Sequence, residues 1–179
     1  MKTIGKDTRF NGKKELISSK NSKIIIGNFC AIADGITINT LNHDSNYPAI
    51  QGYFYKKYFN SLHPGEIKNP PNKERTKGDT IIGHNVWIAK DVWIGSGVKI
   101  GDGAIIGANS VVTKDLPPYT LCCGVPCIPK KKIFRDEVIA FLLELKWWFW
   151  SDDKIKKNKK FFFSDLNKMS LSQIKSIII

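Results

Sequence analysis

The sequence contains no long apolar run. Its apolar clusters near Phe141 and Phe161 are short and interrupted by charged residues, whereas a membrane-spanning helix needs about 20 consecutive apolar residues. The first residues, MKTIGKDTRF, also lack the apolar segment of a secretory signal. We therefore expect a cytoplasmic protein without membrane insertion.

Cysteine and histidine are scarce, with four and three residues. The cysteines lack the spacing of metal ligands and any secretory context, so we expect reduced thiols. Cys30 falls at a position that faces the core in the repeat described below, which predicts a buried structural role.

Acidic residues are few compared with basic ones, 16 against 28, which gives a formal net charge of +12. Such an excess suits a nucleic acid, a membrane surface or a small ligand rich in phosphate. No basic stripe interleaved with aromatic residues falls on one predicted face, so we expect no nucleic-acid partner.

A six-residue repeat runs from Ile82 to Pro117. Glycine follows four of its six aliphatic positions, and turn residues recur too often for a helix or an ordinary strand. The pattern predicts a mainly β fold, a parallel β-helix in which three repeats form one coil of a triangular prism. The aliphatic positions are Ile82, Ile88, Ile94, Ile100, Ile106 and Val112, and small or β-branched residues follow at Val86, Val92, Val98, Ala104 and Ser110.

The same spacing continues towards the N-terminus. Ile26, Ile32 and Ile38 predict one further coil. Phe10 and Leu16 keep the six-residue step, but the run of Lys and Ser at 18–23 interrupts it. We therefore expect residues 1–25 to form a distorted capping coil.

Between Ile38 and Ile82 the repeat is lost for about forty residues, and so long a loop in a compact domain is usually functional or disordered. Disordered segments are poor in aromatic residues, whereas this one is rich in them. We predict an ordered excursion at about 40–78 that lines a site, with a flexible part at 68–78. Its aromatic residues are Tyr47, Tyr53, Phe54, Tyr55, Tyr58 and Phe59.

After the repeats, LCCGVPCIPKKK is expected to cover the open edge of the prism. RDEVIAFLLELKWW predicts a helix with Asp136 as its N-cap, and a weaker helical tail is expected from Phe161 onward. The predicted division is a β-helix domain at 1–128 and a helical extension at 129–179.

Six segments carry a resemblance to a known family: IGNFCAIADGITI, the NH at 42–43, KGDTIIGHNVWI, VKIGDGAIIGANSVVTKDLPPY, CGVP and FRDEVIAFLLELKWWFW. They resemble the hexapeptide-repeat acyltransferases, specifically the xenobiotic acetyltransferase branch that includes the chloramphenicol and streptogramin acetyltransferases. The resemblance implies a left-handed β-helix and a homotrimer that binds acetyl-coenzyme A in a groove between adjacent prisms. It is poorest at 44–75, so it carries no acceptor specificity.

The resemblance also implies roles for single residues. His43 matches the histidine that deprotonates the acceptor, and an imidazole suits that role because its ordinary pKa lies near neutral pH. Ile128 and the pair Ala89-Lys90 depart from the usual pattern, which would shift phosphate binding towards the lysines at 130–132. The implied cofactor contacts are Lys90, Ala108, Thr113, Lys114 and Lys131.

The excursion and the exposed tryptophans supply the candidate acceptor contacts. Trp87 and Trp93 are expected to project from prism corners, towards another subunit or the acceptor. For His63 and His84 we expect plain solvent exposure. A zinc site of the carbonic anhydrase kind is disfavoured because the three histidines lie in unrelated positions, so no metal is expected. The acceptor contacts predicted from the sequence are Asn42, Tyr47, Tyr53 and Trp87.

The reaction expected is direct transfer of acetyl from coenzyme A to a hydroxyl of a sugar or glycan precursor. The alternatives are an O-acetyltransferase for antibiotics of the chloramphenicol or streptogramin type, and an N-acetyltransferase for amino sugars. A non-catalytic trimeric scaffold is the alternative outside enzymes, although a scaffold has no need to keep His43, Thr113 and Lys114 together.

Overall fold

Short strands stacked in three sheets make up most of the fold. The structure is a computed structural model that describes residues 1–67 and 76–179. The strands are β1 (Lys2–Ile4), β2 (Arg9–Asn11), β3 (Lys14–Ile17), β4 (Ile24–Ile26), β5 (Ala31–Ala33), β6 (Ile36–Asn39), β7 (Thr80–Ile82), β8 (Trp87–Ile88), β9 (Trp93–Ile94), β10 (Lys99–Ile100), β11 (Ile105–Ile106), β12 (Val111–Val112), β13 (Thr120–Cys123) and β14 (Ile128–Lys132).

Successive strands go to successive sheets, so the chain winds around a three-sided prism. Sheet A has the order β1-β4-β7-β10, sheet B the order β14-β13-β11-β8-β5-β2, and sheet C the order β12-β9-β6-β3. Neighbouring strands from consecutive coils are parallel, for example β4 with β7 and β6 with β9. The predicted parallel β-helix is confirmed.

The six-residue spacing becomes vertical columns of aliphatic side chains inside the prism. Ile26 lies opposite Ile82, and Ile82 opposite Ile100. Because each column continues through every coil, the core is one continuous apolar rod. Ile32, Ile38, Ile88, Ile94, Ile106 and Val112 are all fully buried in it, together with the predicted Cys30 at 2% exposure.

The strands of the first coil pair regularly, and the predicted distortion is confined to the turn at 18–23. That turn is longer than those of the later repeats, because Ile4 pairs with Ile26 whereas Ile82 pairs with Ile100. Strands β1, β2 and β3 pair in register with β4, β5 and β6. The polar run that suggested a break forms the turn between β3 and β4. There the hydroxyls of Ser22 and Thr40 hydrogen-bond at 2.6 Å inside the structure, so the turn satisfies its polar groups without disturbing the strands.

At the opposite end of the prism, β13 extends sheet B and β14 folds back antiparallel along it. This segment covers the sheet edge, as its composition predicted. The strand that begins at Ile128 is still hydrogen-bonded to the prism, and the helical part of the extension begins only at Asp136.

The helices lie in the excursion and in the C-terminal extension. The extension packs an apolar core around Trp148 and Ile174, which Tyr119 and Phe29 of the prism join. None of the helices within the described ranges is long and apolar enough to cross a bilayer. They are α1 (Gly52–Phe59), α2 (Pro64–Ile67), α3 (Asp136–Leu145), α4 (Asp152–Lys157), α5 (Lys159–Phe162) and α6 (Leu171–Ser176), with single 3-10 turns at Trp147–Phe149 and Leu166–Lys168.

Two details of the extension differ from the prediction. Arg135 occupies the N-cap position of α3, and Asp136 is the first helical residue, where its carboxylate favours the positive end of the helix dipole. Helix also begins earlier than Phe161, because Ser151 caps α4 by accepting a hydrogen bond from the Lys154 amide.

His84 joins the extension to the prism, so its expected exposure is wrong. Its ring stacks on Trp148 with centroids 5.4 Å apart and planes 4° apart. Its Nδ1 accepts a hydrogen bond of 2.8 Å from the Asn28 amide, and the Asn28 side chain donates to the Trp148 carbonyl at 3.0 Å. Burial lowers the pKa of His84, and the nearby Asp102 carboxylate opposes this only in part.

We predict that His84 makes stability depend on pH. Because its pKa in the folded state lies below the ordinary value of about 6.5, the unfolded chain binds the proton more readily. The stabilisation from the neutral ring is complete above about pH 6.5 and is lost as the pH falls towards the folded-state pKa. Urea unfolding between about pH 7.5 and 5.5 should show a steeper loss in the wild type than in His84→Asn, which keeps an acceptor for Asn28. Parallel curves would contradict this.

Candidate active site

The excursion leaves and rejoins the prism at the corner between sheets C and A. The Thr80 hydroxyl donates to the Gly95 carbonyl at 3.0 Å. The Lys77 amide donates to the Ser96 hydroxyl at 2.8 Å, and the Thr76 hydroxyl lies 3.1 Å from the same oxygen. The returning end of the excursion is thus fixed to the turn at 95–97. The predicted flexible segment is held at residues 76–78, and its remainder, 68–75, lies outside the described residues.

His43 lies shortly after the end of β6, on the segment where the chain leaves the prism. Its side chain is exposed and makes no hydrogen bond within the part of the chain that the structure describes. The next side chain, Asp44, is buried, and its Oδ1 accepts from the Asn46 amide at 3.1 Å. A Cβ on Gly65 would lie 2.5 Å from Asp44 Oδ2, so the missing side chain of Gly65 lets the carboxylate pack against α2. This anchor leaves the His43 imidazole on the open side.

Asn42 precedes His43 in the sequence and carries a polar side chain. It is half-buried, and its Nδ2 is fully buried with no hydrogen-bond partner among the described residues. Buried amide donors are almost always paired in native proteins. This unpaired donor therefore calls for an explanation.

The aromatic residues of the excursion surround a cavity of about 490 Å³, a size typical of small-molecule sites. Tyr47 lies in its wall, as predicted. Tyr53 does not line it and is 63% exposed at the start of α1. The lining residues are Tyr47, Pro48, Ala49, Phe54, Tyr55, Phe59 and Pro64.

His63 is buried, with 4% of its surface exposed, so the expectation of plain exposure is wrong. Tyr47 and Tyr55 both pack against its ring, with centroids 5.1 and 4.9 Å away. Its Nδ1 accepts the amide hydrogen of Gly65 at 3.1 Å, and no pattern in the sequence indicated this burial.

The residues implied for the cofactor lie at two neighbouring corners of the prism. Lys90 and Ala108 are at the corner between sheets B and C, stacked in consecutive coils by a 3.0 Å bond from the Asn109 amide to the Lys90 carbonyl. Thr113 and Lys114 follow β12 at the corner between sheets C and A, where the Gly95 amide donates to the Val112 carbonyl at 2.9 Å. All four side chains are exposed.

Thr113 and Lys114 therefore share their corner with the root of the excursion that carries His43. Consecutive coils are about 4.8 Å apart, so these groups lie along one edge of the molecule. Lys131 is on β14, opposite Leu121 in sheet B. That sheet adjoins the corner of Lys90 and Ala108 but not the corner of His43.

Trp87 and Trp93 lie on flat strands, β8 and β9, and not at corners as expected. Trp93 is on sheet C with its ring over Gly95, where an added Cβ would lie 3.1 Å from Cζ3. It therefore borders the corner of the excursion. Trp87, 52% exposed, is on sheet B, which is the face opposite that corner, so within one chain it does not meet His43.

Three of the four cysteines are buried in the core of the prism. Burial raises the pKa of Cys30 and Cys127, and raises that of Cys122 to about 11, so these thiols are poor nucleophiles at neutral pH. Among residues 1–67 and 76–179, no three His, Cys, Asp or Glu side chains are grouped closely enough to hold a metal ion.

Comparison with known proteins identifies the family. Residues 79–114 match the model for the bacterial transferase hexapeptide of six repeats. The chain is 44% identical over 151 residues to a "Probable macrolide acetyltransferase" of Lysinibacillus sphaericus, which covers 80% of this chain and 78% of that protein. The chain belongs to the hexapeptide-repeat acyltransferases, in their xenobiotic acetyltransferase branch.

Two further proteins support this family assignment for the chain. It is 36% identical to a chloramphenicol acetyltransferase of Agrobacterium fabrum over 75% of this chain and 63% of that one. A galactoside acetyltransferase solved in complex with coenzyme A has 27% identity and a TM-score of 0.51, over 84% of this chain and 60% of that one. The chain thus spans about three fifths of the length of both. Family membership confirms the left-handed winding that the resemblance implied and makes the chain an acetyltransferase.

Proposed function

We propose that this protein is an acetyl-coenzyme A-dependent O-acetyltransferase in which His43 is the general base. The supporting observation is the shared edge: the exposed imidazole lies on the segment that leaves the prism at the corner of Thr113 and Lys114. A base and a cofactor groove on one edge are sufficient for transfer from a thioester, which is already activated.

In the proposed reaction His43 accepts the proton of the acceptor hydroxyl as its oxygen attacks the acetyl carbonyl carbon. The tetrahedral intermediate then collapses, the carbon–sulfur bond breaks, and the coenzyme A thiolate receives the proton from the imidazolium. Asn42, half-buried and next to His43 in the sequence, is the proposed acceptor contact on this segment. The reaction needs neither a cysteine nucleophile nor a metal.

For the cofactor we propose contacts from residues at both corners of sheet C. Thr113 supplies a hydroxyl donor, and Lys114 and Lys90 supply positive charge for the phosphates. Of these cations, Lys90 has an acidic neighbour, Asp91, at 3.9 Å in an exposed pair, which leaves it free to exchange partners. Ala108 is a small turn residue that lets the pantetheine arm approach the backbone, and Lys131 would extend the charge along sheet B.

As the acceptor we propose in the first place a hydroxyl of an antibiotic-like natural product. The observation that favours it is the similarity to proteins named for macrolides and chloramphenicol, at 44% and 36% identity. The sugar acceptor favoured by the sequence stays a prediction, supported by the weaker likeness to the galactoside acetyltransferase.

We predict that His43→Ala lowers turnover about 10²–10⁴-fold while acetyl-coenzyme A binds nearly as before, because only the base is lost. Release of free thiol over a panel of macrolides, chloramphenicol, galactosides and amino sugars measures turnover, and calorimetry measures binding. His84→Asn, a histidine change away from the excursion, should keep its turnover. Near wild-type turnover in His43→Ala would refute the base, and a panel without any turnover would favour the non-catalytic scaffold.

Lys114→Ala should weaken acetyl-coenzyme A binding by about 1.5–3 kcal/mol, the size of a charge-assisted hydrogen bond. The loss should shrink at high salt, because an exposed charge is screened. Lys2→Ala, an exposed lysine on the first coil, is the matched control and should change calorimetric affinity little. Equal affinities of wild type and Lys114→Ala would move the phosphate site to the lysines at 130–132.

The proposal includes a homotrimer. Trp87 lies on the face opposite His43 in its own chain, so it can border an acceptor only from a neighbouring subunit. We predict a mass in solution near three times 20.2 kDa by light scattering. A stable, active monomer would overturn both the shared groove and the role of Trp87.

A further inference from the structure

His63 carries a hydrogen-bond donor that the fold leaves open. Its Nδ1 accepts the Gly65 amide hydrogen at 3.1 Å, so the hydrogen of the neutral ring lies on Nε2. That Nε2 is fully buried and has no partner among the described residues. An unpaired buried donor is costly, and such groups in native proteins call for an explanation.

His63 lies behind the wall of the excursion cavity and does not itself line it. Tyr47 and Tyr55 pack edge-on against the His63 ring, at interplanar angles of 85° and 77°. The same two tyrosines line the cavity, together with Pro64, the residue that follows His63. A ligand in the cavity would reach His63 Nε2 only after one of these tyrosine rings moves aside.

The cavity wall has little to offer to a ligand rich in hydroxyls. Of the lining side chains within the described residues, only Tyr47 and Tyr55 carry polar atoms, and the others are aliphatic, proline or phenylalanine. A free sugar would bury several hydroxyls without partners, which costs more than its contact with the rings returns. An apolar body that presents one accepting oxygen matches the wall.

We propose that this cavity binds the apolar body of the acceptor and that His63 Nε2–H donates to a carbonyl oxygen on it. The apolar wall and this donor together favour lactone-type natural products, such as macrolides, over free sugars. This inference rests on the proposed acetyltransferase function and names its class of acceptor. His63 determines specificity and takes no part in proton transfer.

Two substitutions separate the two nitrogens of His63. In His63→Asn the side-chain oxygen takes the place of Nδ1 and keeps the turn with Gly65, but the donor at Nε2 is lost. In His63→Gln the amide nitrogen takes the place of Nε2 and keeps a donor, but the turn loses its acceptor. A purely structural role would make His63→Gln the worse variant, and a role in recognition would make His63→Asn the worse one.

The experiment measures binding of erythromycin and of methyl β-galactoside by calorimetry without acetyl-coenzyme A. We expect erythromycin to bind the wild type, His63→Asn to bind it about tenfold more weakly, and His63→Gln to stay within about threefold of the wild type. The galactoside should bind more weakly than the macrolide to all three proteins. Equal affinities of the two variants, tighter binding of the galactoside, or no binding of the macrolide would each overturn the inference.

A parallel arm with His43→Ala separates this inference from the proposed function. His43→Ala should bind erythromycin like the wild type yet lose turnover, whereas His63→Asn should raise KM for the macrolide with little change in kcat. If His43→Ala keeps its turnover while the His63 variants behave as expected, the base is wrong and the specificity site stands. If turnover collapses in His43→Ala but all His63 variants bind alike, the base stands and the specificity site is wrong.

Discussion

Hydrogen bonds between successive coils hold each repeat directly above its counterpart, and the rest of the molecule depends on this register. Because strands pair only with the same strand of the next coil, a slip of one residue would turn every core side chain outward. The columns through Ile32 and Ile38 make such a slip costly. The register also fixes which turn residues share a corner, and thus places Thr113 and Lys114 on the edge from which the excursion leaves.

The excursion interrupts this pattern and has to satisfy its polar groups by other means. At its return, Thr80 and Lys77 bond to the turn at 95–97, and in its interior Asp44 and the turn at His63 replace the missing backbone ladder. The donors of Asn42 and His63 are the exceptions among its described residues. Both unpaired donors lie on the excursion, which also carries His43. Unpaired buried donors are expected where a protein binds a ligand, so their position supports the proposed function.

The C-terminal extension docks on the prism through apolar and polar contacts. Tyr119 and Phe29 of the prism join its apolar core, and the Phe29 and Trp147 ring centroids lie 5.2 Å apart. His84 and Asn28 bind Trp148 and its backbone, and an exposed ion pair joins Lys6 of the first coil to Asp152 of α4. The exposed pair contributes little, so the docking rests on the shared apolar core and on the stack at His84. This half-buried imidazole is the contact through which acid would loosen the extension.

The sequence by itself determined the prism, because a period of six with aliphatic and small positions has no other good solution, and each coil repeats the same local rule from Ile26 to Val112. Resemblance then indicated His43 and the cofactor residues, whose roles stay predictions; the structure shows that Thr113, Lys114 and the root of the excursion share one corner. Sequence did not determine the burial of His63 and His84 or the face of Trp87. A lone histidine carries no periodic signal, and its environment is made by residues distant in the chain, such as Tyr47 and Trp148. Only the tertiary structure brings these together, because burial and pairing are properties of contacts and not of spacing.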